Sequence, residues 1–135
     1  MKNKKILYTG TTTEITWAAI AYVGPSFLIT LAFKEKTPFM VANAFRAAFM
    51  FVLCLIFTIP MILLKHNIIN LPEQLSFIYF IYKNISLICS TILLFEYITS
   101  VIDTINGKYK TKFFMSKISE NFISKYIYEE FMQQK

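Results

Sequence analysis

The sequence predicts an all-α membrane protein: three transmembrane helices followed by a C-terminal amphipathic helix. Three observations predict it. Hydrophobic residues make up 56% of the 135-residue chain and charged residues only 16%, against roughly 25% charged in an ordinary soluble domain. That apolar excess is more than one small core can hide, so most of it needs a solvent other than water. The apolar residues also gather into three blocks, each about as long as the ~20 residues a helix needs to cross ~30 Å of hydrocarbon. Finally, the net charge of +6 comes mainly from lysines outside those blocks, where membrane topology signals lie.

Residues 1–14 form a polar N-terminal segment. Lys2, Lys4 and Lys5 resemble the basic start of a signal peptide, but the polar run Thr9 to Glu14 separates them from the apolar stretch. No small-x-small cleavage pattern follows, so the first block reads as a retained span. That block, Ile15 to Phe33, carries no charge. The second, Val41 to Leu64, carries Arg46 near its start. The third, Phe77 to Ile102, carries Lys83 near one end and Glu96 near the other. Backbone groups in lipid must be satisfied within their own segment, which makes all three helices despite their β-branched content.

The punctuation fits a bundle over residues 15–106. Thr37 and Pro38 supply an N-cap and first-turn pair for the second helix. Asn70-Leu71-Pro72-Glu73 offers a similar start for the third, and Gly107 suits the position just past its end. Pro25 and Pro60 lie inside spans, where each is expected to bend its helix. Residues 107–135 form a basic tail. Within it Phe114, Ile118, Phe122, Tyr126 and Phe131 recur at mostly helical spacing, with Lys117, Glu120, Lys125 and Glu129 on other faces. This predicts an amphipathic helix lying on the membrane surface, or packed on a partner or on the loops.

Three crossings place the N-terminus and second loop on one side, with Lys2, Lys4, Lys5 and Lys65. The first loop and tail lie on the other, with Lys34, Lys36, Arg46, Lys108, Lys110, Lys112 and Lys117. The larger basic set predicts a cytoplasmic first loop and tail, and the N-terminal lysines pull against that orientation.

The third block carries a polar stripe. Lys83, Ser86, Ser90, Glu96, Ser100 and Asp103 fall near one helix face, interrupted by Leu93. Such a stripe should face other helices or water rather than lipid, either as a helix–helix seam or as a path for an ion, proton or substrate. Glu96 lies about six residues from the predicted cytoplasmic end of its helix, and Arg46 about one turn into the second helix from the same side. Neighbouring antiparallel helices would then hold them at similar depth, as an ion pair that Asn43 assists. Asn43, Arg46, Lys83, Glu96, Ser100 and Asp103 are therefore the candidate intramembrane residues.

Other chemistry finds little support. The chain has one histidine, His66, and two cysteines, Cys54 and Cys89, each inside an apolar block without metal or redox spacing. Asn84-Ile85-Ser86 matches a glycosylation sequon but lies inside a span. The pattern contains no catalytic triad, Gly-rich phosphate loop or metal-ligand cluster, so no enzyme, cofactor or metal is expected. Lysines outside apolar blocks, without interleaved aromatics on one folded face, also argue against nucleic acid as a partner.

Two stretches resemble a known family. Pro38-Phe39-Met40-Val41-Ala42-Asn43-Ala44-Phe45-Arg46-Ala47 is similar to the start of a membrane helix in a multi-span subunit of the chloroplast inner-envelope protein-import translocon. That family has Gln where Arg46 stands, and its small bacterial relatives have His at Asn43 and Ala again at Ala47. Gly107-Lys108-Tyr109, running on to Met115-Ser116, resembles a Gly-Lys-Tyr stretch after that family's last span, although Lys112-Phe113 replaces an Ile-Pro pair there. With the spacing between them, the stretches cover most of Ile15 to Ser116. The translocon subunit is expected to have four spans, against three here.

The resemblance implies a small helical bundle with a basic cytoplasmic tail, in a translocon-like or other membrane complex. The expectation is thus a multi-pass protein of the cell membrane, or alternatively of the plastid inner membrane. It would act as a non-enzymatic subunit or scaffold, as a homo-oligomer or with other membrane proteins. The alternative is an oligomeric channel or carrier that uses the polar stripe, with its substrate unspecified.

Overall fold

The computed structural model describes residues 6–33, 37–65, 76–110, 120–121 and 124–126. Its elements, in chain order, are strand β1 (Ile6–Thr9), helix α1 (Thr12–Ile20), a 3-10 turn (Gly24–Ser26), helix α2 (Phe27–Ala32), the long helices α3 (Pro38–Lys65) and α4 (Ser76–Ile105), and strand β2 (Lys108–Lys110). The protein is mostly helical, and α3 and α4 are long and apolar enough to cross a membrane. At 1.5 Å per residue they measure roughly 42 and 45 Å, beyond the ~30 Å of a hydrocarbon core.

Both long helices end as their sequences suggest. Thr37 caps α3: its hydroxyl accepts the Met40 N–H at 3.4 Å and its carbonyl accepts the Val41 N–H at 3.0 Å. Helix α4 runs three residues past the expected end at Ile102, and Gly107 follows it with φ 66°. Pro60 lies inside α3. The start proposed around Asn70 to Glu73 lies outside the described residues.

The first apolar block differs from the expectation. Residues Ile15 to Phe33 do not make one crossing helix but two short ones that fold back on each other. The Thr30 hydroxyl donates to the Trp17 carbonyl at 3.1 Å, and the Trp17 and Phe33 rings lie 4.5 Å apart. In a continuous helix residues 17 and 30 would stand roughly 20 Å apart. The reversal comes from Gly24-Pro25. Gly24 has φ 56°, a left-handed conformation that costs a residue without Cβ little. Pro25 has no N–H to carry the ladder on. The start also moves: the Thr11 N–H donates to the Glu14 carboxylate at 2.6 Å, so the polar run before the block opens α1.

Strand β1 pairs antiparallel with β2, Ile6 opposite Lys110 and Thr9 opposite Lys108. The Gly10 N–H continues the ladder to the Gly107 carbonyl at 3.1 Å. This clasp joins the segment before the first block to the segment after the last helix. Both therefore lie at the same end of the long helix pair, whereas three crossings would separate them.

The core is concentrated at that end. The hairpin of α1 and α2 packs on the first half of α3, where Phe39 to Ala44, Arg46, Ala47 and Met50 are buried, and α1 also meets α4. Small residues on both sides, Ala18 and Ala21 against Ala42, Ala44 and Ala47, form the core and allow close helix approach. Beyond Met50, α3 has no buried residue, and α4 before Leu93 has only Ser86. There, among the described residues, the helices pack only on each other, with the Tyr82 hydroxyl donating to the Ile56 carbonyl at 3.2 Å. Large apolar side chains such as Ile56, Ile59, Phe77, Phe80 and Leu87 face outward. The expected amphipathic helix of the tail lies mostly outside the described residues. Residues 120–121 and 124–126 are helical, and Tyr126 sets its ring 4.9 Å from that of Phe45.

Candidate functional site

Four elements converge on one polar node near the clasp. Asn43 lies five residues into α3, roughly 8 Å from its start, and is fully buried. Its Oδ1 accepts two hydrogen bonds, from the Tyr22 hydroxyl at 3.1 Å and the Thr104 hydroxyl at 2.7 Å. Its Nδ2 donates to the Phe39 carbonyl at 2.9 Å. One amide thus ties the hairpin turn and α4 to α3. The Thr104 hydroxyl also lies 2.8 Å from the Ser100 carbonyl, and the Tyr97 hydroxyl donates to the Tyr22 carbonyl at 2.8 Å.

Arg46, one turn further along α3, is 3% exposed. Its Cζ lies 3.9 Å from the centroid of the Tyr109 ring in β2, a cation–π contact in a desolvated setting. Side chains on a helix lean toward its N-terminus, so Arg46 reaches back toward the clasp.

The structure brings five of the six candidate residues into this end of the fold: Asn43, Arg46, Glu96, Ser100 and Asp103 are all buried. Two points bear on how these residues are placed. Lys83 is exposed near the far end of α4, where, among the described residues, only α3 lies beside α4. Ser90 is exposed as well, so the buried line on α4 reads Ser86, Leu93, Glu96, Ser100, Asp103 and Thr104.

The second concerns depth. Counting along antiparallel helices from the Asn43–Thr104 contact puts Arg46 level with Val101. Asp103 is then roughly 3 Å nearer the clasp and Glu96 roughly 7–8 Å deeper. By this count Asp103 lies closer in depth to Arg46 than Glu96 does. The clasp and the Asn43 hub set this register, and the ends of the apolar blocks do not reveal it.

Sequence reasoning missed Tyr22, Thr104 and Tyr109. Thr104 was detectable as the next step of the stripe, four residues after Ser100. Tyr22 and Tyr109 carry no such signal, because their roles depend on the hairpin and the clasp. Among the described residues, no three His, Cys, Asp or Glu side chains group as metal ligands. The observed node can hold elements together, since its hydrogen bonds run between helices of the same chain.

Fold and node define a small helical protein with two membrane-compatible helices and a polar, internally bonded core at one end. Comparison with protein-family models, curated proteins and solved structures gives no match.

Proposed function

We propose that this chain is an integral membrane protein that crosses the bilayer twice, through α3 and α4, with α1 and α2 as a re-entrant hairpin. It works as a non-enzymatic subunit or scaffold of a membrane assembly. The observation that carries this reading is the clasp. Paired β1 and β2 favour an even number of crossings between them, and the two long helices have outward apolar faces suited to lipid. This replaces the three-crossing arrangement expected from composition.

The basic residues support it. Two crossings would put the basic stretches next in sequence to β1, to the start of α3 and to β2 on one side, which the positive-inside rule would make the cytoplasmic one. The N-terminal lysines no longer conflict with the tail. The subunit reading draws on the burial of Glu96, Ser100 and Asp103 within a single chain; a pathway between protomers would leave that face open. The resemblance to the translocon family makes a protein-import-like assembly the first partner class to test.

Single cysteines at Asn3, Asn70 and Lys112, in a chain lacking Cys54 and Cys89, test the topology. An impermeant thiol reagent added to intact cells should label only the Asn70 position. Opposite labelling of the Asn3 and Lys112 positions would restore three crossings. Purification in mild detergent should then yield a complex larger than one chain, and a clean monomer would remove the subunit reading.

A further inference from the structure

Among the described residues, the groove between α3 and α4 is only half filled. The hairpin occupies the half near the clasp, and its turn at Tyr22 and Gly24 borders a cavity of about 440 Å3 that continues along Met50, Cys54, Ser90 and Leu93. A second cavity, of about 400 Å3, lies toward the far end and is lined by Thr58, Met61, Ile62, Lys65, Tyr79 and Lys83. Helical spacing sets both along one seam of the α3–α4 pair. Ala47, Met50, Cys54, Thr58, Met61 and Lys65 follow one another by threes and fours along α3. Tyr97, Leu93, Ser90, Lys83 and Tyr79 do the same on α4, with one seven-residue step. The Cys54 sulfur, which lines the first cavity, lies 3.8 Å from the hydroxyl of Thr58, which lines the second.

The charge is placed at one mouth. Lys65 and Lys83 line the far cavity together, and none of its described lining residues is a carboxylate. A lysine within an apolar helix is costly unless it meets water, a cavity or a partner. Lys83 leans toward the N-terminal end of α4, the end where Lys65 closes α3. From Lys83 to Tyr97 the groove runs roughly 21 Å, longer than the ~15 Å half-thickness of a hydrocarbon core. Its inner part is mostly apolar, with small residues Ala47, Cys54 and Ser90 leaving room between the helices.

We propose that this groove holds one anionic phospholipid from the leaflet opposite the clasp. Its phosphate sits between Lys65 and Lys83, and one acyl chain runs down the groove toward the hairpin turn. The lipid completes the half of the bundle that the hairpin does not reach. This proposal rests on the two-crossing membrane reading.

The test uses the full chain purified in mild detergent, with native mass spectrometry and thermal unfolding in the presence of phosphatidylglycerol, phosphatidylcholine or inorganic phosphate. Phosphatidylglycerol should be retained and should raise the unfolding temperature more than phosphatidylcholine, and inorganic phosphate should do neither. Both lysines are exposed, so the Lys65→Gln/Lys83→Gln chain should fold and lose about tenfold or more in apparent affinity for phosphatidylglycerol. Ser90→Phe should shift the preference toward shorter acyl chains. Equal retention of both phospholipids by the wild-type chain, or undiminished phosphatidylglycerol binding by the lysine variant, overturns the proposal. Full competition by inorganic phosphate, with no dependence on chain length, also overturns it by reducing the site to a free-anion site. Release of the wild-type chain by alkaline carbonate would instead defeat the membrane reading itself.

Discussion

Replacing Asn43 with leucine tests the node directly. The substitution keeps a buried side chain of comparable bulk but removes the acceptor shared by Tyr22 and Thr104 and the donor to Phe39. Thr104 keeps the Ser100 carbonyl as an alternative partner, so its loss is small. The buried Tyr22 hydroxyl loses its 3.1 Å partner, and a stranded buried donor typically costs about 1–3 kcal/mol. Hydrogen bonds between membrane helices average nearer 0.6 kcal/mol, which favours the lower part of that range. Branched leucine in a tight site adds about 1 kcal/mol of overpacking. The expected destabilisation is therefore about 2–3 kcal/mol. Trp17, the only tryptophan, stacks on Phe33 inside the hairpin and reports unfolding by fluorescence in a detergent titration. Tyr22→Phe alone should cost about 1 kcal/mol. In the Asn43→Leu background the same change should cost nothing or restore some stability, because the bond is already gone. A loss below about 0.5 kcal/mol for Asn43→Leu, or strict additivity of the two changes, would refute the hub.

Two further perturbations probe the register and the clasp. Arg46→Met combined with Asp103→Asn should show a larger coupling energy than Arg46→Met combined with Glu96→Gln, given the register around Asn43–Thr104. The opposite order in a double-mutant cycle would return Glu96 to the role the sequence suggested. Gly107→Ala should destabilise by about 1–3 kcal/mol, since the position has φ 66° and an added Cβ would meet Ile15 Cδ1 at 3.0 Å and the Gly10 carbonyl at 3.1 Å. Protease protection of the N-terminal segment would fall with it, and a fully stable Gly107→Ala chain would show that the clasp tolerates a different turn.

The sequence alone determined the helical class, the length and apolar character of the two long helices and most of their ends. Hydropathy summed over twenty residues, the Thr37-Pro38 cap and Gly107 after α4 are local properties that need no knowledge of the fold. It also held two signals that an apolar block of spanning length obscures. Thr11-x-x-Glu14 is a capping-box pattern, and Gly24-Pro25 is a turn dipeptide. Block length argued for one helix, and only the contact of Thr30 with Trp17 shows that the chain turns back instead. The number of candidate crossings likewise depends on the pairing of residues 6–9 with 108–110, about a hundred positions apart, which no window of local composition contains. The same pairing sets the depth of α4 against α3. It brings Tyr109 over Arg46, fixes Thr104 on Asn43 and leaves Lys83 outside the buried line. Residue type made these side chains candidates, but their partners depend on distance in space, and that is set only once the hairpin and the clasp have closed.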